Sequence, residues 1–145
     1  MLFNNDRNAM REVYYQSWQK KLKGGTLNPT EAIISTVISE HPEYHKIFDK
    51  KQNHIDKDFS PESGQTNPFL HMGLHIAIRE QLATNRPFGI KGIYLELMNK
   101  YQDNSTVEHM MMDHLVETMM ASQRTGLPPN EQNYLQSLRQ LLSQI

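Results

Sequence analysis

The sequence predicts an all-α protein, a single-domain bundle of about five to six helices. Apolar residues recur at the three- and four-residue spacing of amphipathic helices in segment after segment. Asn-Pro pairs and glycines stand where helices would begin and end. No pair of segments shows the alternation of strands, and 145 residues suffice for one domain with its own core, residues 1–145.

The first predicted helix covers about residues 6–23. Asn5 or Asp6 supplies its N-cap, and Gly24 with Gly25 ends it, because glycine tolerates the left-handed conformation of a helix end. The apolar residues at helical spacing are Met10, Val13, Tyr14 and Trp18.

The second predicted helix begins at Asn28 and Pro29, an N-cap followed by proline at the first helical position. Its apolar stripe consists of Ile33, Ile34, Val37 and Ile38. Pro42 interrupts it, because its ring clashes with the preceding turn and it lacks an N–H. We expect a kink or a short restart there, with helix resuming to about Lys50.

Residues 51–66 carry polar side chains without helical periodicity, which predicts a long loop, either a wrapping loop or a lid. His54, Asp56 and Asp58 in this loop would reach a site only as lid residues, and solvated loop residues are the simpler interpretation. Asn67 and Pro68 then open a helix that runs to about residue 83.

Three further helices complete the prediction. The turn at 86–89 leads into one that carries Ile90, Ile93, Tyr94, Leu97 and Met98. Ser105 and Glu108 form a predicted capping box that opens the next, which runs to about Gln123 and is stopped by Gly126 and Pro128. The last covers about residues 130–144 and carries Tyr134, Leu135, Leu138, Leu141 and Leu142.

Composition excludes several classes of protein. The 15 Lys and Arg are spread along the chain and balanced by 16 Asp and Glu, so no basic surface for nucleic acid is predicted. No apolar run approaches the roughly 20 residues that span a bilayer, and the first residues lack a signal-peptide pattern, so we expect a cytoplasmic protein. The chain has no cysteine, so any metal must be held by His, Asp or Glu.

Polar residues with metal-binding chemistry occur in pairs at the four-residue spacing that places both on one helix face. These pairs are His41 and His45, His71 and His75, and His109 and Asp113. Each lies in line with apolar residues, so three helices would each direct a pair into the bundle interior. His114 turns away from the face of His109 and is left out.

Burying several such groups costs about 1–3 kcal/mol for each that lacks a partner, so they need a common explanation. One is a zinc or iron ion held by His71, His75 and His109 with Asp113, with His41 and His45 joining or replacing some of these. A single ion would use three or four of the six residues, and all six would imply two ions. Arg79 and Glu117 continue two of the rows by one turn and would orient the ligands or form an ion pair between helices. An open coordination position would allow the metal to activate water for hydrolysis or to bind a small oxidant.

Two other hypotheses remain open. The histidines would form a buried hydrogen-bond network with Asp113, Glu117 or Tyr44, in a non-catalytic interaction or assembly protein that binds a protein partner or forms a homo-oligomer. In that case His41 would simply be a helix-boundary residue before Pro42. Clustered imidazoles would also suit a pH sensor.

The motifs "HPEYH", "NPFLHMGLHIAIREQ" and "QRTGLPPNEQNYL" resemble an uncharacterised bacterial family, domain of unknown function 1841. The resemblance covers nearly the whole chain. It implies a small bacterial protein and brings no established activity, substrate or cofactor. No functional residue is carried over from it, so the prediction of a site depends on the histidines themselves.

Overall fold

The computed structural model describes residues 2–49, 59 and 67–144, and within these ranges it contains seven α-helices and no strand. The helices are α1 (Leu2–Leu22), α2 (Pro29–Ser39), α3 (His45–Asp49), α4 (Pro68–Thr84), α5 (Ile90–Tyr101), α6 (Asn104–Thr125) and α7 (Glu131–Ser143). A 3₁₀ turn, Pro42–Tyr44, lies between α2 and α3. The all-helical prediction is confirmed, with one more helix than the upper predicted number because Pro42 separates α3 from α2.

The chain divides into two compact units, residues 1–76 and 77–145, and the boundary falls within α4. In the first unit α1 packs against α2. The hydroxyl of Ser35 donates to the carbonyl of Ser17 over 3.1 Å, so the two helices approach closely at small side chains. The apolar core of this unit comprises Tyr14, Tyr15, Ile34, Val37, Ile38, Phe48, Phe69, Met72 and Ile76.

Helix α1 buries only part of the predicted apolar face, at Tyr14 and the partly buried Trp18. Met10 and Val13 are exposed, whereas Tyr14, Tyr15 and Arg11 are buried. The Arg11 guanidinium lies 4.4 Å from the ring centroid of Phe69. This cation–π contact stabilises the charge of the buried arginine. The apolar spacing of α1 predicted the helix correctly, but it could not identify an arginine that packs through its guanidinium.

In the second unit α5, α6 and α7 pack against one another. Their buried apolar residues are Ile90, Ile93, Leu97, Val107, Met111, Met112, Tyr134, Leu135, Leu138 and Leu141. The ammonium of Lys100 donates to the carbonyls of Leu141 and Leu142 over 2.9 and 3.1 Å, and so caps the C-terminus of α7. The Tyr134 hydroxyl donates to the side-chain carbonyl of Gln81 over 2.8 Å.

Two of the predicted helix starts are confirmed. The Asn28 side chain accepts from the backbone N–H of Glu31 over 2.7 Å, and the Glu31 carboxylate accepts from the backbone N–H of Asn28 over 2.9 Å. The Asn67 side chain likewise accepts from the backbone N–H of Leu70 over 3.1 Å. Both helices therefore begin with an asparagine cap and a proline at the first helical position.

The capping box predicted at Ser105 and Glu108 is wrong. Helix α6 begins at Asn104, and its N-cap is Asp103, whose carboxylate accepts from the backbone N–H of Thr106 over 2.9 Å. Aspartate satisfies the same orphan N–H groups as serine, so the helix begins before Ser105. This start leaves Glu108 inside the helix, where it is buried.

The predicted loop at 51–66, with His54, Asp56 and Asp58, lies outside the described residues apart from Phe59. In the portion of the chain that is described, no helix is both long enough and apolar enough to cross a membrane.

Candidate metal centre

His71 and His75 lie one turn apart on α4, as their spacing predicts. Their Nε2 atoms are 3.2 Å apart and their ring centroids 4.8 Å apart. His75 is only 4% exposed, whereas His71 is half-buried. Because the start of α4 is fixed by Asn67 and Pro68, this pair is held on a regular helix rather than on a loop.

His41 comes from the end of α2, where the chain leaves the helix before Pro42. Its backbone has φ −123° and ψ 66°, outside the helical region that the following proline disfavours. Its Nδ1 lies 2.7 Å from the carbonyl oxygen of Val37. A carbonyl oxygen only accepts, so Nδ1 carries the proton of the neutral ring and Nε2 keeps the lone pair.

The three histidines converge within the first unit. One nitrogen each from His41, His71 and His75 lies within 4.8 Å of the others. The ring of His41 is 4.8 Å from that of His75 and 5.3 Å from that of His71, between centroids. His41 and His75 are both buried. The structure therefore brings together three of the predicted ligands, from two separate segments of the chain.

One pair of nitrogens in this cluster has the spacing of a zinc site. Tetrahedral zinc with Zn–N bonds of about 2.0–2.1 Å requires nitrogens about 3.3 Å apart. The Nε2 atoms of His71 and His75 already have this separation, at 3.2 Å. Closing a separation of up to 4.8 Å requires a shift of about 1.5 Å at most, which is within the range of a side-chain rotation.

Tyr44 borders two of the three rings. Its ring stacks on that of His41 with centroids 5.7 Å apart and planes within 6°, and it meets His71 edge to face at 6.2 Å. Burial raises the pKa of the Tyr44 phenol, and the carboxylate of Glu43 adds to the effect. The phenol is therefore neutral at physiological pH, and its ring restricts the orientation of His41.

His45 does not join the cluster, so its predicted pairing with His41 on one face is wrong. Its Nε2 lies 2.7 Å from the carbonyl oxygen of Ile38, and its ring lies 5.0 Å from that of Trp18. Helix α2 ends at Ser39, before both histidines, and Pro42 begins a 3₁₀ turn between them, so their four-residue spacing does not place them on one helical face. His41 and His45 instead each satisfy a carbonyl in the last turn of α2.

His109 and Asp113 are exposed on α6 in the second unit, so the prediction that they face inward is wrong. The Nδ1 of His109 lies 2.7 Å from the carbonyl oxygen of Ser105 in its own helix. The buried residues of α6 are Val107, Glu108, Met111 and Met112. Methionines occur on several sides of this helix, so their spacing could not show which face is buried.

Arg79 forms the predicted kind of ion pair between helices, but with a different partner. Its Nη2 and Nε each lie 3.1 Å from Oε1 of Glu108. Glu117, the predicted partner, is exposed. The sequence predicts Glu108 as part of a capping box, and no local signal identifies a glutamate that pairs with an arginine on another helix.

Among the described residues, the cluster offers only imidazole nitrogens as potential metal ligands. No Asp or Glu of the described ranges belongs to the group of three histidines. Neutral imidazoles suit zinc, copper, nickel and iron, and three of them leave a tetrahedral ion one further position. The arrangement could therefore hold a transition metal with room for an exogenous ligand.

Comparisons with known proteins identify a family for the chain, but the description of that family gives no activity. The model of a family described as "Domain of unknown function (DUF1841)" matches residues 6–140 of the chain. Searches of curated proteins and of solved structures find no match.

Proposed function

The chain belongs to the family described as domain of unknown function 1841, and since that description carries no activity, we propose from its geometry that it binds a transition metal. The centre consists of His41, His71 and His75. The observation that carries the proposal is the convergence of three imidazoles, with one nitrogen of each within 4.8 Å of the others.

The hydrogen bonds of these rings support a ligand role. The Nδ1–H of His41 donates to the Val37 carbonyl, so Nε2 keeps a lone pair that can bind a metal. Backbone carbonyls orient metal-binding histidines in the same way. The 3.2 Å contact between His71 and His75 pairs two nitrogens that both can accept. A metal ion between the rings uses these lone pairs together, whereas a hydrogen bond uses only one of them at a time.

Zinc is the first candidate and iron the second. Iron in non-haem sites is typically held by two histidines and a carboxylate, and none of the carboxylates described in the structure belongs to this group. Three imidazoles with one open position match the ligand set of catalytic zinc sites, in which the ion lowers the pKa of its bound water to about 7. A centre of this kind supports water activation.

The test measures zinc affinity with a competing chromophoric chelator, using untagged protein purified without chelator or nickel resin. We expect one equivalent of zinc per chain, bound at least about 10-fold more weakly by His75→Ala and by His71→Ala. His109→Ala is the matched control, because His109 is an exposed histidine outside the cluster, and it should bind as the unaltered protein does.

Protein that neither contains nor takes up zinc or iron would contradict the proposal, as would full metal retention by His75→Ala. The histidines would then form a structural network. The capping of α2 carbonyls by His41 and His45 supports that alternative, in which the protein acts through a protein partner or by self-association.

A further inference from the structure

The carbonyl of Ile38 lies in the last turn of α2. In a continuing helix it would accept from the backbone N–H of residue 42, four positions later, but Pro42 has no N–H. Helix α2 ends at Ser39, and the backbone N–H of His41 donates to the Ile38 carbonyl instead, over 3.0 Å. The Ile38 side chain is fully buried in the core of the first unit, so this acceptor is held by close packing.

His45 donates to the same carbonyl oxygen. Its Nε2 lies 2.7 Å from that atom, and because a carbonyl oxygen only accepts, Nε2 carries the hydrogen. The oxygen has two lone pairs, so it accepts from the His41 backbone and the His45 side chain together. His45 thus supplies a donor to the carbonyl that Pro42 leaves without its helical partner. The His45 ring also lies 5.0 Å from the ring of Trp18 on α1, between centroids.

These contacts hold the short segment that carries His41. The 3₁₀ turn Pro42–Tyr44 joins the two histidines, and the backbone N–H of Tyr44 donates to the carbonyl of His41 over 3.0 Å. One end of the segment is bound to the Ile38 carbonyl through the His41 backbone, and the other end is bound to it through the His45 side chain. A segment fixed at both ends restricts the direction of the His41 imidazole, which is one of the three converging rings.

Resting on the metal centre proposed above, we propose that His45 is a positioning residue of that centre, which holds His41 in place for the ion without binding the ion itself. The group of converging nitrogens does not include those of His45, and its Nε2–H is directed at a backbone carbonyl. Groups that orient a ligand typically contribute about 10- to 100-fold to metal affinity. The histidine that sequence spacing indicates as a ligand therefore acts through its hydrogen bond to Ile38.

Two amide substitutions test this role, because both keep a side-chain N–H donor and they differ in reach. In His45→Gln the amide nitrogen lies about as far from the backbone as the ring Nε2, whereas in His45→Asn it falls one methylene short. Zinc affinity is measured by competition with a chromophoric chelator. It should stay within about 3-fold of the unaltered protein in His45→Gln and fall at least about 10-fold in His45→Asn.

Ser35→Ala is the matched control for a general loss of stability. It removes the hydrogen bond of 3.1 Å from the Ser35 hydroxyl to the Ser17 carbonyl, which joins α1 to α2 in the same unit. This variant should have a lower melting temperature but a zinc affinity within about 2-fold of the unaltered protein. Visible absorption of cobalt(II)-loaded protein is the second readout, because it reports the ligands of the ion. At saturating cobalt(II), His45→Asn should give the spectrum of the unaltered protein, since all three ligands remain.

Equal zinc affinities for His45→Gln and His45→Asn would overturn the proposal, whether both are unchanged or both are weakened. A changed cobalt(II) spectrum in both variants would overturn it by showing that His45 is itself a ligand. A loss of affinity in Ser35→Ala as large as that in His45→Asn would overturn it by reducing the effect to general stability. If His45→Asn does not fold, His45→Gln still decides, because a loss of about 10-fold there contradicts the proposal.

Failure of the metal centre itself is distinguishable from these outcomes. Unaltered protein that takes up neither zinc nor cobalt(II) would overturn the centre and this inference together. Each of the other contradicting results is obtained with unaltered protein that binds metal, and so removes the role of His45 while the centre stands.

Discussion

The imidazole of His41 lies with its Nδ1 2.7 Å from the carbonyl oxygen of Val37, one turn earlier in the chain. This contact satisfies a carbonyl at the end of α2 and fixes which nitrogen of His41 carries the proton. The stacked ring of Tyr44, parallel to within 6°, restricts the same imidazole from its face. The position of His41 is therefore set by two contacts that do not depend on a bound metal ion.

Substitutions at Tyr44 test how much the stacked ring contributes to zinc affinity. Tyr44→Ala removes the stacked ring and should weaken zinc binding by about 10-fold, the usual cost of losing a group that orients a ligand. Tyr44→Phe keeps the ring and should bind zinc within about 2-fold of the unaltered protein. A chelator competition titration measures both, and equal affinities for the two variants would show that the stacked ring does not position His41.

Metal should also stabilise the fold. An ion that binds only the folded state adds about 2.7 kcal/mol at a free concentration 100 times Kd, which raises the melting temperature by about 5–10 °C for a chain of this size. Thermal unfolding followed by fluorescence, with zinc and then with excess chelator, measures the shift. His75→Ala should lose the shift and His109→Ala should keep it; an equal shift in both variants would place the binding elsewhere.

In the second unit, removing one partner of the pair between Arg79 and Glu108 should strongly destabilise the fold. The side chains are 22% and 5% exposed, so Glu108→Ala removes a carboxylate from a largely buried guanidinium. We expect a loss of about 3 kcal/mol in the free energy of unfolding, measured by urea denaturation. Glu117→Ala on the same helix is the exposed control and should cost less than about 0.5 kcal/mol. Equal losses would contradict the assignment.

Acid should weaken the start of α2 through Glu31. The backbone N–H of Asn28 and then the ammonium of Lys20 lower the pKa of this carboxyl below its ordinary 4.5. Because the folded-state pKa is lowered, the stabilisation is fully present above about pH 4.5 and is lost as the pH falls through the folded-state pKa. Carboxyl NMR titration measures this pKa directly.

The control for this titration is a neighbouring lysine. Lys20 donates to Glu31 over 3.0 Å, so Lys20→Met should raise the pKa of Glu31 part of the way towards its ordinary value. Lys21→Met changes an exposed lysine of the same helix and should have less effect. A Glu31 pKa at or above 4.5 would contradict the capping interaction.

Local signals in the sequence predicted the helices and one part of the site. Asn28 with Pro29 and Asn67 with Pro68 marked helix starts that the structure confirms. The four-residue spacing of His71 and His75 predicted their proximity, because both lie on one uninterrupted helix.

The remaining errors concern relations that spacing does not determine. His45 lies away from its predicted position because Pro42 begins a 3₁₀ turn after His41. His109 lies on an exposed face rather than the predicted inner one, because a helix with methionines on several sides has no unique apolar face. The meeting of His41 with His71 and His75 depends on the packing of separate segments, about which the periodicity of a single helix carries no information.

X-ray absorption at the zinc edge of the zinc-loaded protein counts the histidine ligands through the scattering pattern of their imidazole rings. We expect three imidazole nitrogens and one further light atom, at about 2.0 Å from the ion. A shell dominated by carboxylate or water oxygens, with one imidazole or none, would contradict the centre at His41, His71 and His75.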